Sequence, residues 1–345
     1  MAPSTITRIL LKDYVTSGYP KLSDFNIETA PAPTKDQLKV NQVLIQPLYF
    51  SVDPYQRGRL SGVKDSYVES YKKGEPITNF LVAKVLASTS KDIKEGDLVT
   101  DHDGKFETMY ITDAKHVNKV TVSDGMEIRD FVGVLSMPSY TAYYGTFVIG
   151  KPKAGETILV SSASGAVGQM VLQLAKAQGL NVIGVAGSDE KLEYVKQLGA
   201  DTVFNYKTCG NLTEAIRKAA PNGVDIFYDN VGGELLDAAL ANLNDYARVI
   251  ICGAISQYNI KSADEIYGIK NMTNVLVRKA KVEGFIILDL FDSPHYPEFV
   301  EKVSKLYKEG KIKYKTDEID GISNAPQAIL NLFEGKNFGK TIVKA

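Results

Sequence analysis

The sequence contains few of the residues on which metal sites and disulfide frameworks depend. Among 345 residues there are two cysteines and three histidines. Cys209 and Cys252 alone do not suggest a disulfide framework. A catalytic zinc needs three protein ligands, usually Cys and His. The histidines are His102, His116 and His295, and the first half of the chain contains no cysteine. The sequence therefore predicts no metal site, and each histidine is expected to be a surface or loop residue.

Long apolar runs and clusters of one charge are also missing. The apolar stretches, such as Val182–Ala186 and Val249–Ile255, are far shorter than the ~20 residues of a membrane span. The 40 basic and 41 acidic side chains are interspersed, which gives no electrostatic footprint for nucleic acid or an anionic membrane. The N-terminal residues lack the basic start and apolar run of a signal peptide. We therefore expect a cytoplasmic globular protein with neither nucleic-acid nor membrane partners.

Two secondary-structure patterns divide the chain. The first ~125 residues read as short strands between turns, predicted at Val43–Val52, Phe80–Ala87, Asp97–Thr100 and Glu107–Thr112. Asp103-Gly104 predicts a hairpin turn. From Thr157 onward strands and helices alternate strictly, which is typical of βαβ units and a parallel sheet. A strand-like Lys340–Lys344 ends a tail that could rejoin the first part. The predicted domains are residues 1–128, 129–305 and the tail 306–345.

A glycine-rich turn follows the first predicted strand of the α/β part. Ala163-Ser-Gly165-Ala-Val-Gly168 fits the spacing of G-x-G-x-x-G with alanine at the first position. Gly165 would let the backbone approach a pyrophosphate, and Gly168 would let the helix lie close to the sheet. The free N–H groups at the helix N-terminus would face the anion. The alternative is a tight turn without a ligand.

The end of the next strand bears on the choice of cofactor. An NAD site places Asp or Glu there, whereas this strand ends in Ala186-Gly187-Ser188. Ser188 can donate to a phosphate, and Lys191 can offer a cation to a 2′-phosphate. The sequence favours NADP(H) over NAD(H). In the alternative interpretation Ser188 only caps the helix and Lys191 is a solvated charge.

Tyr258 is a candidate for substrate polarisation. It follows the predicted strand at Val249–Cys252, at the carboxyl edge of the sheet where ligands bind. Its phenol could donate a hydrogen bond to a substrate carbonyl and stabilise an enolate as hydride arrives. Amphipathic packing is the alternative for any one of the nineteen tyrosines.

Nearly the whole chain resembles the zinc-independent medium-chain dehydrogenase/reductases, specifically the alkenal/one oxidoreductases that include the prostaglandin and plant double-bond reductases. The residues that carry the resemblance are Leu11–Val15, Ser51–Gly58, Met137–Tyr143, Ala163–Gly168, Ala186–Lys191, Phe204–Lys207, Tyr228–Gly233, Cys252–Ser256 with Tyr258, and Gly335–Lys340. The resemblance implies a Rossmann domain with a doubly wound parallel sheet, and a β-rich GroES-like domain completed by the C-terminal tail. It also implies a homodimer formed through the edge of the α/β sheet.

The resemblance further implies NADPH-dependent reduction of the C=C bond of α,β-unsaturated aldehydes or ketones. The positions at the adenosine 2′-phosphate end would be Gly187, Ser188, Lys191 and Tyr206. The backbone of Ala166 and Val167, between Gly165 and Gly168, would meet the pyrophosphate. The ribose–nicotinamide half would be lined by Asn230, Cys252, Ser256 and Tyr258, with Phe285 and Ile287 near the carboxamide. Asn337 and Gly339 would close the site from the tail, and Tyr55 would lie over the substrate with Tyr258.

Two positions depart from the family pattern, and two other functions stay open. Gln56 stands where relatives commonly have Met, and Ser139 where they have Gly, which could change the size or polarity of the substrate pocket. A quinone or carbonyl reductase would use the same cofactor on another acceptor. An NADPH-binding protein without turnover is the alternative from outside the enzymes.

Overall fold

The computed structural model describes residues 3–345, which form two compact units. One unit consists of the chain up to Ser136 together with Thr316–Ala345, and the other is Met137–Lys315. The predicted domain limits, after residues 128 and 305, stay predictions. The second of them falls inside the helix His295–Lys308.

Fifteen strands and nine α-helices are found in the described residues. The strands are β1 Thr5–Leu11, β2 Phe25–Pro31, β3 Gln42–Ser51, β4 Thr78–Ser88, β5 Leu98–Lys105, β6 Tyr110–Asp113, β7 Val117–Val120, β8 Thr157–Val160, β9 Asn181–Ala186, β10 Thr202–Asn205, β11 Val224–Asp229, β12 Leu243–Ile251, β13 Lys281–Gly284, β14 Thr316–Asp320 and β15 Lys340–Lys344. The helices are α1 Gln56–Arg59, α2 Met137–Tyr144, α3 Gly168–Ala177, α4 Asp189–Gln197, α5 Leu212–Ala219, α6 Gly233–Leu240, α7 Thr273–Val277, α8 His295–Lys308 and α9 Ala325–Phe333.

The first unit contains a seven-stranded sheet and a separate β1–β2 hairpin. The sheet runs in the order β14-β15-β3-β4-β5-β7, and β6 also pairs with β3. β15 lies antiparallel to β3, with Ile342 opposite Ser51. The chain end therefore completes the sheet of the N-terminal residues, as the fold prediction required.

The second unit is a six-stranded parallel sheet with the order β10-β9-β8-β11-β12-β13. The order reverses between β8 and β11, and ligands of doubly wound sheets bind at the carboxyl ends of the strands at such a point. The central strands β8 and β9 are almost entirely apolar, as is typical where helices cover both faces of a sheet. Leu159, Phe227 and Val249 are fully buried in this core. The predicted Rossmann sheet is confirmed.

One local prediction is wrong. Asp103-Gly104 does not form a hairpin turn, because β5 continues through both residues and β6 pairs with β3. Glycine is required at 104 for a different reason, since a Cβ there would lie 2.3 Å from Leu81 Cδ2 on the neighbouring strand. Helix α3 begins at Gly168, after the turn that contains Gly165. No helix in residues 3–345 is long and apolar enough to cross a membrane.

Candidate functional site

The turn between β8 and α3 brings a helix N-terminus to the carboxyl end of the sheet. The Ala163 N–H donates to the Val185 carbonyl at 2.9 Å, which fixes the turn to β9. A Cβ on Gly168 would lie 2.3 Å from Ser162 O and 2.7 Å from Ala163 Cα, so only glycine lets α3 begin so close to the turn. Ala166 and Val167 precede the first helical residue. Backbone N–H groups at such a helix start suit a pyrophosphate.

The ends of β9 and β10 bring the four expected 2′-phosphate residues into one region. The Tyr206 N–H donates to the Ala186 carbonyl at 3.2 Å, beside the Gly187-Ser188 turn. A Cβ on Gly187 would lie 2.8 Å from the Tyr206 ring, so the two residues are in close contact. Ser188 is the N-cap of α4, and its hydroxyl oxygen accepts from the Lys191 N–H at 3.4 Å. The cap leaves the hydroxyl proton of Ser188 available for an anion.

The ends of β11 and β12 gather the residues expected at the nicotinamide half. Asn230 donates from its backbone to Ser161 Oγ at 2.7 Å and from Nδ2 to the Ser161 carbonyl at 2.8 Å. Ser256 Oγ donates to the Val231 carbonyl at 2.6 Å. The Cys252 N–H donates to the Asp229 carbonyl at 2.8 Å, and burial raises the pKa of the Cys252 thiol to about 12. Cys252 is therefore a neutral thiol and not a nucleophile at neutral pH.

Tyr258 lies in the turn that follows β12. Its hydroxyl oxygen accepts from the Ala254 N–H at 3.3 Å, and Gly253 provides the space in front of it, since a Cβ there would lie 3.3 Å from the same oxygen. Within residues 3–345 this hydroxyl donates to no protein acceptor. Burial raises the pKa of Tyr258 above its usual value, so the phenol keeps its proton. The proton is available to a bound molecule.

Asp229 holds this edge of the sheet together. It lies within the Tyr228–Gly233 motif, but the sequence analysis assigned it no role. Its Oδ1 accepts from the Val231 and Gly232 N–H groups at 2.9 and 3.0 Å and from Ser161 Oγ at 3.2 Å. Burial raises its pKa to about 6, against the lowering effect of these donors. Asp229 thereby joins the end of β8 to the turn that carries Asn230.

Phe285 and Ile287 follow β13 at the same edge. Phe285 stacks on Tyr144 with ring centroids 5.7 Å apart, and Ile287 is buried at the start of a short 3₁₀ turn. A further residue that sequence reasoning missed is Tyr314, whose hydroxyl donates to the Ala166 carbonyl at 3.3 Å. Its segment is held along α3 by Gln169 and Gln173, which exchange hydrogen bonds with the backbone of Lys315 and Lys313. No motif marks this segment.

The other expected site residues lie in the first unit. The Tyr55 hydroxyl donates to Asn79 Oδ1 at 2.9 Å, and burial raises its pKa well above the usual value. Asn337 Nδ2 donates to the Gly339 carbonyl at 3.3 Å, just before β15. The next residue, Lys340, donates to Asp53 Oδ1 at 2.6 Å. This ion pair connects the tail segment to the segment that carries Tyr55.

The two departures from the family pattern are both buried. Gln56 Oε1 accepts from the Asp53 N–H at 3.0 Å, and its Nε2 donates to the Tyr71 hydroxyl at 3.2 Å. Gln56 therefore supports the segment beneath Tyr55. Ser139 is fully buried in α2, and its Oγ has no hydrogen-bond partner in the described part of the chain.

A metal site was considered among the residues that the structure describes. No group of three or more His, Cys, Asp or Glu side chains suited to a metal is found among residues 3–345. His102 stacks on Phe80 with centroids 4.6 Å apart, and His295 lies 3.1 Å from Glu298. The donor set does not fit zinc, which prefers Cys and His ligands in tetrahedral groups.

Two family models match the chain. Residues 7–120 match the N-terminal domain of oxidoreductase, and residues 166–305 match zinc-binding dehydrogenase. The chain is similar along its length to the 2-alkenal reductase (NADP(+)-dependent) of Nicotiana tabacum, with 41% identity over 97% of this chain and 96% of the relative. It is 36% identical to prostaglandin reductase 1 of Bos taurus, over 95% and 96% of the two chains.

Among solved structures the chain is similar to CurA of Vibrio vulnificus, crystallised with NADPH. The TM-score is 0.90 at 35% identity, and the match covers 98% of this chain and 99% of that one.

Proposed function

Because the chain belongs to the alkenal reductase group of the medium-chain dehydrogenase/reductase family, we propose that it reduces the C=C bond of α,β-unsaturated aldehydes and ketones with NADPH. The observation that supports this most is the arrangement at the carboxyl edge of the parallel sheet. A glycine-dependent helix start, a strand end without a carboxylate and a protonated tyrosine lie along that one edge. They supply, in order, a pyrophosphate site, a 2′-phosphate site and a hydrogen-bond donor.

The residues present fit NADPH. The start of α3 offers free N–H groups to the pyrophosphate, and the Gly168 contact leaves no room for a side chain at that start. Ser188 and Lys191 would hold the 2′-phosphate, with the Tyr206 ring beside them. When bound, NADPH supplies a hydride. Asn230, Cys252 and Ser256 would line its nicotinamide half. Asn337 and Gly339 stay proposed cofactor residues of the first unit.

Tyr258 is proposed as the catalytic hydrogen-bond donor. As the substrate double bond accepts hydride at its β-carbon, negative charge develops on the carbonyl oxygen. A phenol that keeps its proton stabilises this charge by donating a hydrogen bond, and a donor of this kind lowers the barrier by several kcal/mol, about 3. Since the pKa of Tyr258 is raised, the proton that reaches the α-carbon is proposed to come from solvent.

A substrate panel scored by product identity tests this function. We expect NADPH oxidation with a short 2-alkenal and with an enone, and the saturated carbonyl compound as product. An allylic alcohol as product would instead identify a carbonyl reductase, and turnover with quinones alone a quinone reductase. Tight NADPH binding without oxidation by any acceptor would identify a binding protein.

We further propose that the protein is a homodimer. β13 is an edge strand of the parallel sheet and pairs only with β12 within the described residues. Exposed apolar side chains accompany it, since Leu276 is 79% exposed and Val277 58% on the preceding helix α7. Edge strands with apolar neighbours pair readily with another chain. The cytoplasmic location stays a prediction.

A further inference from the structure

A fully buried ion pair lies below Tyr55 in the first unit. Lys340 has no exposed surface and Asp53 has 3%. Lys340 Nζ donates to Asp53 Oδ1 at 2.6 Å and to the Val52 carbonyl at 2.8 Å. Burial lowers the pKa of Lys340, and the Asp53 charge opposes this lowering. A buried pair of this kind is costly to desolvate and is weak evidence of stabilisation, so its role has to be found in what it holds.

The pair holds Asn79 in one orientation. Asn79 Nδ2 donates to Asp53 Oδ2 at 3.1 Å and to the Ser51 carbonyl at 2.8 Å. Both partners are acceptors without a proton to give, because Asp53 is a carboxylate paired with Lys340. On the other side, Asn79 Oδ1 accepts from the Phe80 N–H at 2.8 Å. Rotating the amide by 180° would put oxygen against oxygen and N–H against N–H.

The fixed amide decides the direction of the hydrogen bond to Tyr55. Asn79 Oδ1 can only accept, so the Tyr55 hydroxyl must be the donor in their 2.9 Å contact. A phenol has one proton and can give it to one partner. Because this proton is donated to Asn79, the Tyr55 oxygen can only accept a hydrogen bond from any further group.

We infer that Asn79, oriented by the buried Lys340–Asp53 pair, is a positioning residue that makes Tyr55 a hydrogen-bond acceptor towards bound molecules. Tyr258 has the opposite hydrogen-bond arrangement. Its oxygen accepts from the Ala254 N–H, and its proton is donated to none of the described residues. The two tyrosines, one in each unit, are therefore not interchangeable donors. Tyr258 donates a hydrogen bond to the carbonyl oxygen, while Tyr55 accepts one from an O–H or N–H group. This inference rests on the proposed function for the placing of Tyr55 at the substrate.

A direct test observes the Tyr55 hydroxyl by NMR in protein labelled with ¹³C at the tyrosine ζ carbon. In equal H₂O and D₂O, a proton held by Asn79 exchanges slowly and splits the Tyr55 signal into two lines. Tyr55→Phe assigns that signal by removing it. We expect the splitting in the unmodified protein and its collapse to one averaged line in Asn79→Leu. A single line in the unmodified protein, or a splitting that survives in Asn79→Leu, would overturn the inference.

A kinetic double-mutant cycle is the second test. Asn79→Leu and Tyr55→Phe should each lower kcat/KM for an enal that carries a hydroxyl group by about tenfold, the effect of one hydrogen bond of about 1.4 kcal/mol, and should change it little for the same enal without the hydroxyl. The double variant should be no worse than the poorer single variant, because both changes remove one interaction. Additive losses would contradict the positioning role. NADPH affinity and the unfolding midpoint of Asn79→Leu report whether it is folded, and Asn118→Leu, at an exposed position of strand β7, is the matched control.

Asn79→Asp keeps an oxygen that accepts from the Tyr55 hydroxyl. Its second oxygen, when protonated, donates to Asp53 as the Asn79 amide does. It should therefore retain the slow Tyr55 exchange that Asn79→Leu loses, and loss in both variants would assign the effect to packing. If no alkenal or enone is reduced by the unmodified protein, the proposed function fails while the NMR result still decides the inference.

Discussion

Tyr258 is a residue whose environment limits it to one chemical role. Burial keeps its phenol protonated, and the Ala254 N–H occupies one side of its oxygen. We predict that Tyr258→Phe lowers kcat by about a hundredfold, the usual loss for one donor to a developing oxyanion. NADPH affinity should change little, since the ring remains. Tyr246→Phe, at an exposed tyrosine of the same unit, is the control. Steady-state kinetics with one enal would decide, and an unchanged kcat would remove Tyr258 from the mechanism.

Single residues could be predicted from the sequence where their requirement is local. Gly168 belongs to the motif Ala163–Gly168, and its close contacts are with Ala163 in that motif and with the preceding residue, Ser162. Asp229 and Asn79 could not be predicted. Asp229 accepts a hydrogen bond from the Ser161 hydroxyl, 68 positions away, and Asn79 is oriented by Asp53, 26 positions away. Their roles come from contacts between distant segments. Neither the Tyr228–Gly233 motif, which contains Asp229, nor any periodicity of the sequence specifies those contacts.

The β8–α3 connection is the element on which the cofactor proposal depends most. We predict that Gly168→Ala costs about 2 kcal/mol or more of the free energy of unfolding, because its Cβ would overlap backbone atoms at 2.3 and 2.7 Å. The gain in helix propensity, at most about 1 kcal/mol, does not offset this cost. NADPH affinity should fall with it, as measured by titration calorimetry.

Gly165→Ala is the matched control for that stability measurement. A Cβ at this position would lie 3.1–3.2 Å from Ser162 atoms, which a small shift relieves. Its unfolding midpoint should therefore stay close to that of the unmodified protein. Equal destabilisation by the two substitutions would show that the turn, and not the close helix packing, requires glycine.

Elements were predictable wherever apolar periodicity and turn residues agreed. The apolar stretch Val182–Ala186 lies within strand β9, Asn181–Ala186, and the predicted strand end at Ala186 is the one that the structure has, because a capped helix follows it. The β1–β2 hairpin was not predicted, since its register is fixed by pairing across fourteen and more residues rather than by a short turn. At Gly104 the glycine signal was interpreted as a turn when it reports a close strand contact.

At the scale of the whole molecule, the return of the tail was predictable in outline. Lys340–Lys344 has the composition of a strand, and in the structure it is β15 beside β3. The ion pair of Lys340 with Asp53 explains why a lysine is tolerated at a fully buried position of that strand. From the sequence alone this lysine looks like a solvent-facing charge, because nothing nearby in the chain could neutralise it.

The proposed dimer makes a prediction for the whole assembly. An edge strand leaves one row of backbone N–H and C=O groups without a partner, and a second copy related by a twofold axis can satisfy them.

Charges placed at Leu276 and Val282 would then be buried without counter-ions. We predict that Leu276→Lys/Val282→Lys has the 37.8 kDa mass of one chain in light scattering, whereas the unmodified protein has about twice that mass. Val40→Lys/Ile27→Lys, at exposed apolar positions of the other unit, should stay dimeric. If the unmodified protein has the mass of one chain, the edge-strand dimer is refuted. The exposed side chains of α7 and β13 would then not be buried by a second copy.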